Sequence, residues 1–309
     1  MRNTPSTTPP EDDESFERFV DLLADVRPEL FRYCARMTGS VFDGEDVVQD
    51  TLVKAYRALK GTHEPTPLRP WLFRIAHNTA IDFLRKHERR NVELVGDVPA
   101  AVDADERDVD PELVEASFMV FMDLPPVQRS ALVLKDVLGH SLAETAEAMD
   151  STVSAVKAAL FRARTNVSRA RPDASGTERT QGGTRRSRPS DEDEASFRRY
   201  VELFNERDWD GLRSMLSEEA RLNLVSRTQE HGSAVRRYYS RYAEITDSEE
   251  LRAEYGSVDG VAAIAVFSPA SSLVPSYFIK LEWLGQQLAV IRDFRYVPYI
   301  TDGARFTPG

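Results

Sequence analysis

Residues 69–90, RPWLFRIAHNTAIDFLRKHERR, have the pattern of one regular element. Pro70 suits the first turn of a helix, where its missing amide hydrogen would be unpaired anyway. At about 100° per residue, Leu72, Phe73, Ala76, Ala80, Phe83 and Leu84 gather on one side. Trp71, Arg74, Asn78, Asp82 and Arg85 lie opposite. An apolar stripe for a core is thus backed by a surface that can hold nucleic acid. Arginines supply charge for phosphate, Trp71 offers a stacking plane, and Asn78 carries the paired donor and acceptor that read a base edge. The plain alternative is an amphipathic helix with a solvated basic face.

Charge elsewhere in the chain weighs against that alternative. The net charge of -11 argues against a protein that coats DNA unaided, but the charge is segregated. Residues 69–90 hold six basic and two acidic residues, and residues 151–171 hold five basic residues and no acid. Between them, residues 91–126 carry ten acids and a single Arg107. Two cationic elements flank an acidic spacer. A length of 309 residues points to about two domains, and no apolar run reaches the roughly 18 residues needed to span a bilayer. Residues 1–13, with prolines and acids, lack the apolar centre of a signal peptide, so a cytoplasmic location and no membrane contact are expected. Cys34 is the only cysteine, which excludes an internal disulfide and a cysteine-built zinc site. Neither a cofactor nor a metal motif is present.

In chain order, residues 1–13 read as disordered. Phe16, Phe19, Val20 and Leu23, then Leu30, Phe31, Cys34 and Met37, recur at three and four and predict two helices broken near Arg27 and Pro28. Asp43 and Asp46 have the spacing of a cap and its partner, and Val47, Val48, Leu52, Ala55, Tyr56 and Leu59 continue as a stripe. Asp46, Gln49 and Asp50 stay outside, either complementing the helix dipole or facing a basic protein partner. Residues 61–68, GTHEPTPL, read as a loop, and residues 92–110 as a flexible tether. Helices are expected again from Pro111, with Val127 to Leu138 as one run. Residues 141–170 then show helix-turn-helix spacing, with Ser141 and Glu144 as a capping box and Met149-Asp150-Ser151 as the turn. Leu142, Ala146, Met149, Val153, Val156 and Leu160 are predicted to face inward. Lys157, Phe161, Arg162 and Arg164 project from the second helix, as a major groove would require; a plain helical hairpin is the alternative.

Residues 172–194 read as a linker. Beyond it, helices are predicted over 197–205, 209–216 and 234–245. Strands are predicted over 221–225, 251–255, 261–267, 277–284 and 287–296, with turns at residues 256–260 and Gly285. Helices followed by a strand meander indicate a separate α+β domain.

Three segments in this order resemble the extracytoplasmic-function (ECF) sigma factors of bacterial RNA polymerase: GEDVVQDTLVKAYRAL, RPWLFRIAHNTAIDFLRKHERR and LPPVQRSALVLKDVLGHSLAETAEAMDSTVSAVKAALFRAR. The resemblance implies a multidomain protein in which two all-α sigma domains, a helical bundle over 14–91 and a helix-turn-helix over 111–171, precede a third domain. It implies binding to core RNA polymerase through the β′ coiled coil and the β flap, promoter DNA as the second partner, and transcription initiation as the function. Residue by residue, it places Asp46, Gln49 and Asp50 against the β′ coiled coil. It places Trp71, Arg74, Asn78, Arg85 and Lys86 at the minus 10 element, and residues 61–68 where a flipped base is captured. Lys157, Phe161, Arg162 and Arg164 fall at the minus 35 element. The chain departs from the family where Asp150 replaces the turn glycine and Ala158-Ala159 replaces a Ser-Arg pair.

FRRYVELFNERDWDGL and VIRDFRYVPY, with the order of elements, resemble a SnoaL-like domain, so residues 195–309 are expected to form an α+β cone-shaped barrel. In that fold an acid and a histidine can work inside the cone, and Asp293 and His231 are the candidates. The favoured reading is that the chain is not an enzyme and that this domain modulates the sigma part in cis. A separate anti-sigma factor or a small ligand at the C-terminal domain remains an open partner. A polymerase-independent helix-turn-helix regulator, or a cyclase or isomerase fused to a DNA-binding module, are the alternatives.

Overall fold

The computed structural model describes residues 23–59, 67–88, 119–170, 190–226, 228–246 and 250–309. The expected disorder over 1–13, the helix before residue 23, the loop over 61–66, the tether over 92–110 and the linker over 172–189 lie outside the described residues. The rest sort into two compact units.

Helices dominate the first part of the chain: α1 (Arg27–Thr38), α2 (Val41–Leu59), α3 (Leu68–Glu88) and the short α4 (Met119–Met122). They are followed by α5 (Pro126–Leu132), extended by a π turn over Val133–Val137, then α6 (Leu142–Ala148) and α7 (Val153–Ala170). The first unit is built from α1, α2 from Asp43 onward, α3 and α5 to α7. The break before Arg27 falls where the sequence places it, with a turn at Asp25 and Val26. α2 begins two residues before the expected cap, so Asp43 sits inside its first turn, where a carboxylate complements the helix dipole. α1 and α2 approach at Gly44, where an added Cβ would lie 2.6 Å from Ala35 Cα. Leu30, Phe31, Tyr33 and Cys34 of α1 are buried, as are Val47, Val48 and Ala55 of α2 and Leu72, Phe73, Ala76, Ala80 and Leu84 of α3. Phe83 is the exception in the expected stripe: half-buried, it stacks on His87 at 4.1 Å.

Both halves of the Ser141–Glu144 capping box form, and Asp150 adopts φ +49° in the turn that glycine usually fills. One inward expectation fails. Val153 is 40% exposed because it is the first residue of α7, ahead of the stripe Val156, Ala159, Leu160 and Ala163 that packs.

Residues 39–42 and 115–123 group with the second unit, whose C-terminal part carries α8 (Asp191–Glu206), so the last four residues expected as linker are helical. Ser190 and Asp193 form a capping box, and the acidic run 191–194 fills the dipole-favoured first turn. α9 (Trp209–Ser214) leads into β1 (Leu216–Leu224), which starts five residues earlier than its β-branched content indicates. β2 (Thr228–His231), too polar to read as a strand, pairs antiparallel with β1. A 3-10 turn over Gly232–Val235 precedes α10 (Arg236–Thr246). The meander follows as β3 (Arg252–Val258), β4 (Val261–Phe267), β5 (Tyr277–Leu284) and β6 (Gln287–Asp293), and β7 (Phe306–Pro308) closes the chain. Gly256 lies within β3 rather than in the turn; Asp259 and Gly260, both at positive φ, make the turn. The seven strands order as β2-β1-β6-β5-β4-β3-β7, antiparallel except for β1 with β6. α8 is fixed to β3 by Asn205, whose side chain donates to Ala253 O (3.0 Å) and accepts from Ala253 N (2.8 Å), and by Phe197 stacked on Tyr255 at 5.0 Å.

Candidate nucleic-acid interface

α3 turns its apolar stripe to the core and leaves Arg74, Asn78, Asp82, Arg85 and Lys86 exposed, with Trp71 half-buried beside them. The candidate minus 10 residues therefore share one outer surface over about four turns of helix. A half-buried ring next to exposed guanidinium and amide groups can stack one base while the polar groups hold backbone and edge. On α2, Asp50 is exposed and Asp46 and Gln49 are half-buried, Gln49 donating to Glu45 Oε1 at 3.4 Å. Glu45 itself points inward and pairs with Arg27 at 2.7 Å. Val53 follows one turn after Gln49 and is 48% exposed, a residue the sequence reading placed neither in the stripe nor on the outer face.

In the helix-turn-helix, Lys157, Phe161 and Arg162 are half-buried on α7. Arg164 is held by Asp136, which accepts from its Nε at 2.8 Å and its Nη2 at 2.7 Å. Thr152 Oγ1 caps α7 by accepting from Ala155 N at 3.2 Å, and the first turn, Val153 to Ala155, is exposed. The sequence carries that signal in Thr152 directly before the helical run. The geometry thus makes available the N-terminal turn of α7 and the flank bearing Lys157, Phe161 and Arg162, with Arg164 committed to the fold.

In the second unit, Asp293 is buried and accepts from Tyr238 Oη (2.9 Å), Tyr242 Oη (3.0 Å) and the amide of Arg295 (2.8 Å). Burial pushes its carboxyl above the usual range, against the Arg295 charge and these donors, which favour the ionised form. Tyr277 Oη lies 3.1 Å from Tyr242 Oη. His231, the other residue expected in the cone, is exposed at the end of β2 opposite Arg221, whereas Asp293 pairs with Leu224 across β1. The fold does not bring the two together.

A helical unit that ends in a helix-turn-helix, preceded by a helix whose outer surface sets a half-buried ring beside exposed basic and amide groups, defines a class of DNA-reading protein. The comparisons narrow it. The Sigma-70 region 2 family matches residues 22–90, and the Sigma-70, region 4 family matches residues 121–167. The ECF RNA polymerase sigma factor SigG of Mycobacterium tuberculosis is 35% identical over 49% of this chain and 49% of its own length. The chain thus spans about half the length of that relative. The ECF RNA polymerase sigma-E factor of Haemophilus influenzae is 33% identical over 44% of this chain and 75% of its own length. Among solved structures, the extracytoplasmic function sigma factor SigJ of Mycobacterium tuberculosis aligns with 92% of this chain and 98% of its own, at 19% identity and a TM-score of 0.34. The chain belongs to the ECF RNA polymerase sigma factor family. Among the described residues no helix is long and apolar enough to cross a membrane.

Proposed function

We propose that this chain binds core RNA polymerase in the cytoplasm and directs it to promoters, without catalysing a reaction itself. The observation that carries the reading is the match of region 2 and region 4 families to the two helical segments that expose the candidate DNA-facing residues. In this reading Asp46, Gln49 and Asp50 dock on the β′ coiled coil. Trp71, Arg74, Asn78, Arg85 and Lys86 hold the melted minus 10 strand, where a base leaves the stack at a cost of a few kcal/mol and a protein surface receives it. Lys157, Phe161 and Arg162 face the minus 35 groove while Arg164 stabilises the helix that presents them. Linking two weak readers raises the effective concentration of the second once the first is bound.

The C-terminal unit is a SnoaL-like module that modulates the sigma part in cis, with a small ligand or an anti-sigma protein as its effector. The separation of His231 from the buried Asp293 favours this role over a catalytic one. Transcription from a mapped promoter, reconstituted with core enzyme and either the full chain or residues 1–172, tests both parts. Start-site-specific transcripts are expected from each, at different levels. No transcripts from either overturns the sigma reading, and equal activity and polymerase affinity overturns regulation in cis.

A further inference from the structure

Within the first unit the helix-turn-helix part packs on α1 and α3 through a polar seam that neither set of DNA-facing residues uses. Tyr33 of α1, His77 of α3 and Ser130 of α5 close a buried triangle. Tyr33 Oη lies 3.0 Å from His77 Nδ1 and 2.8 Å from Ser130 Oγ, and His77 Nδ1 lies 2.9 Å from Ser130 Oγ. His77 is 7% exposed. Beside it the buried Arg129 of α5 donates to Met37 O, in the last turn of α1, and to Leu124 O. At the other end of the seam Glu29 of α1 accepts from Arg69 Nε of α3 at 3.0 Å and lies 3.3 Å from His140 Nε2. Arg69 also reaches Glu144 of α6 at 3.5 Å, and His140 meets the Phe73 ring edge-on at 4.6 Å.

We propose that this seam is a latch between the two sigma regions, and that a single proton taken up by His77 releases it. The triangle offers Nδ1 two hydroxyls that can each donate or accept, which suits a neutral imidazole. A charged ring there is buried among groups that bring no anion within hydrogen-bond distance in the triangle.

Burial drives the His77 pKa down to about 4, with Asp150, at the turn before α7, opposing the shift. The other titratable groups that face the site are Tyr33 and Cys34 of α1, whose burial holds them neutral far above neutral pH. Arg129 faces Tyr33 from α5. Glu29 is pushed up by burial but held at about 2 by His140 and Arg69, so it keeps its charge throughout mild acid. Released, an exposed histidine returns to about 6.5. The latched form therefore keeps its full advantage above that value and loses about tenfold per pH unit as the pH falls from there toward about 4.

The latch depends on the promoter-reading proposal only for its consequence, that acid frees the two readers to separate. The test contains neither polymerase nor DNA, so its failure overturns the latch and leaves that proposal standing. Full-length protein carrying Arg57→Cys on α2 and Ser154→Cys on α7, labelled as an energy-transfer pair with Cys34 buried, reports the separation of the two regions. Between pH 7.5 and 5.5 the ratio of separated to latched molecules is expected to rise about tenfold. His77→Gln is expected to abolish that response and His140→Gln to retain it. Ser130→Ala, which leaves the imidazole in place, is expected to raise the separated fraction at every pH with the dependence preserved. A ratio that does not move with pH, or a full response surviving in His77→Gln, overturns the proposal.

Discussion

Arg164 and Asp136 are joined by two parallel hydrogen bonds, 2.8 Å from Nε and 2.7 Å from Nη2, with Asp136 almost wholly buried. A paired fork of this kind fixes α7 against the π turn, and removing the arginine strands a carboxylate in the core. Arg164→Ala is expected to destabilise the first unit by about 3 kcal/mol in urea unfolding. DNA binding separates the roles: Lys157→Ala is expected to flatten the dependence of affinity on salt by about one phosphate contact, and Arg164→Ala, compared at equal folded fraction, to leave that slope unchanged.

The two faces of the sigma part are expected to fail at different steps. Asp50→Arg, at an exposed position on α2, is expected to weaken core polymerase binding by about tenfold or more, as placing a cation before a basic partner does. Asn78→Ala is expected to leave core affinity intact and reduce promoter opening by the equivalent of one base-edge contact, about 1–3 kcal/mol. Fluorescence titration with core enzyme and permanganate footprinting distinguish the two. Equal loss at both steps in either variant contradicts the assignment.

Gly44 is required by a backbone neighbour. Its added Cβ would sit 2.6 Å from Ala35 Cα and 2.7 Å from Ala35 N, contacts that no rotamer change relieves. Helix propensity favours alanine there by about 1 kcal/mol, but overpacking against a backbone costs up to about 3 kcal/mol, so the clash wins. Gly44→Ala is expected to lower the urea midpoint of the first unit, read by helical circular dichroism. An unchanged or raised midpoint would show that α1 and α2 do not approach so closely.

Asp293 makes the second unit sensitive to base. Its folded pKa is raised, chiefly by burial, so the native state holds a proton to higher pH than the unfolded chain. The stability it contributes is full below the unfolded value of about 3.9 and is lost as the pH rises through the raised value. Tyr238→Phe and Tyr242→Phe each delete a donor to the ionised form, a bond worth about 1.5–3 kcal/mol to a charged group. Each variant is expected to lose stability more steeply with rising pH than the parent, followed by near-ultraviolet circular dichroism of the tyrosines. Parallel profiles would show that the phenols do not support the carboxylate.

What was legible from residue order alone is the part governed by local periodicity and local hydrogen bonding. The two faces of α3, the capping box at Ser141, the turn at Asp150, and β4 and β5 all follow from neighbours within about four positions, because a helix repeats every 3.6 residues and a strand every two. The missed features are those that the rest of the molecule imposes. β2 is a strand because β1 presents an open edge to a polar segment, and the three-residue β7, too short to read from its own pattern, is set by pairing with β3. The pairing of Arg164 with Asp136, 28 positions away, is likewise outside what charge and spacing along one helix can show. Tyr33, His77 and Ser130 span up to 97 positions and come together only when three helices pack, and the distance of His231 from Asp293 is set by which strand lies between them. Periodicity tells which face of an element is buried; only the packed chain tells what that face is buried against, and the chemistry of a buried group depends on its neighbours.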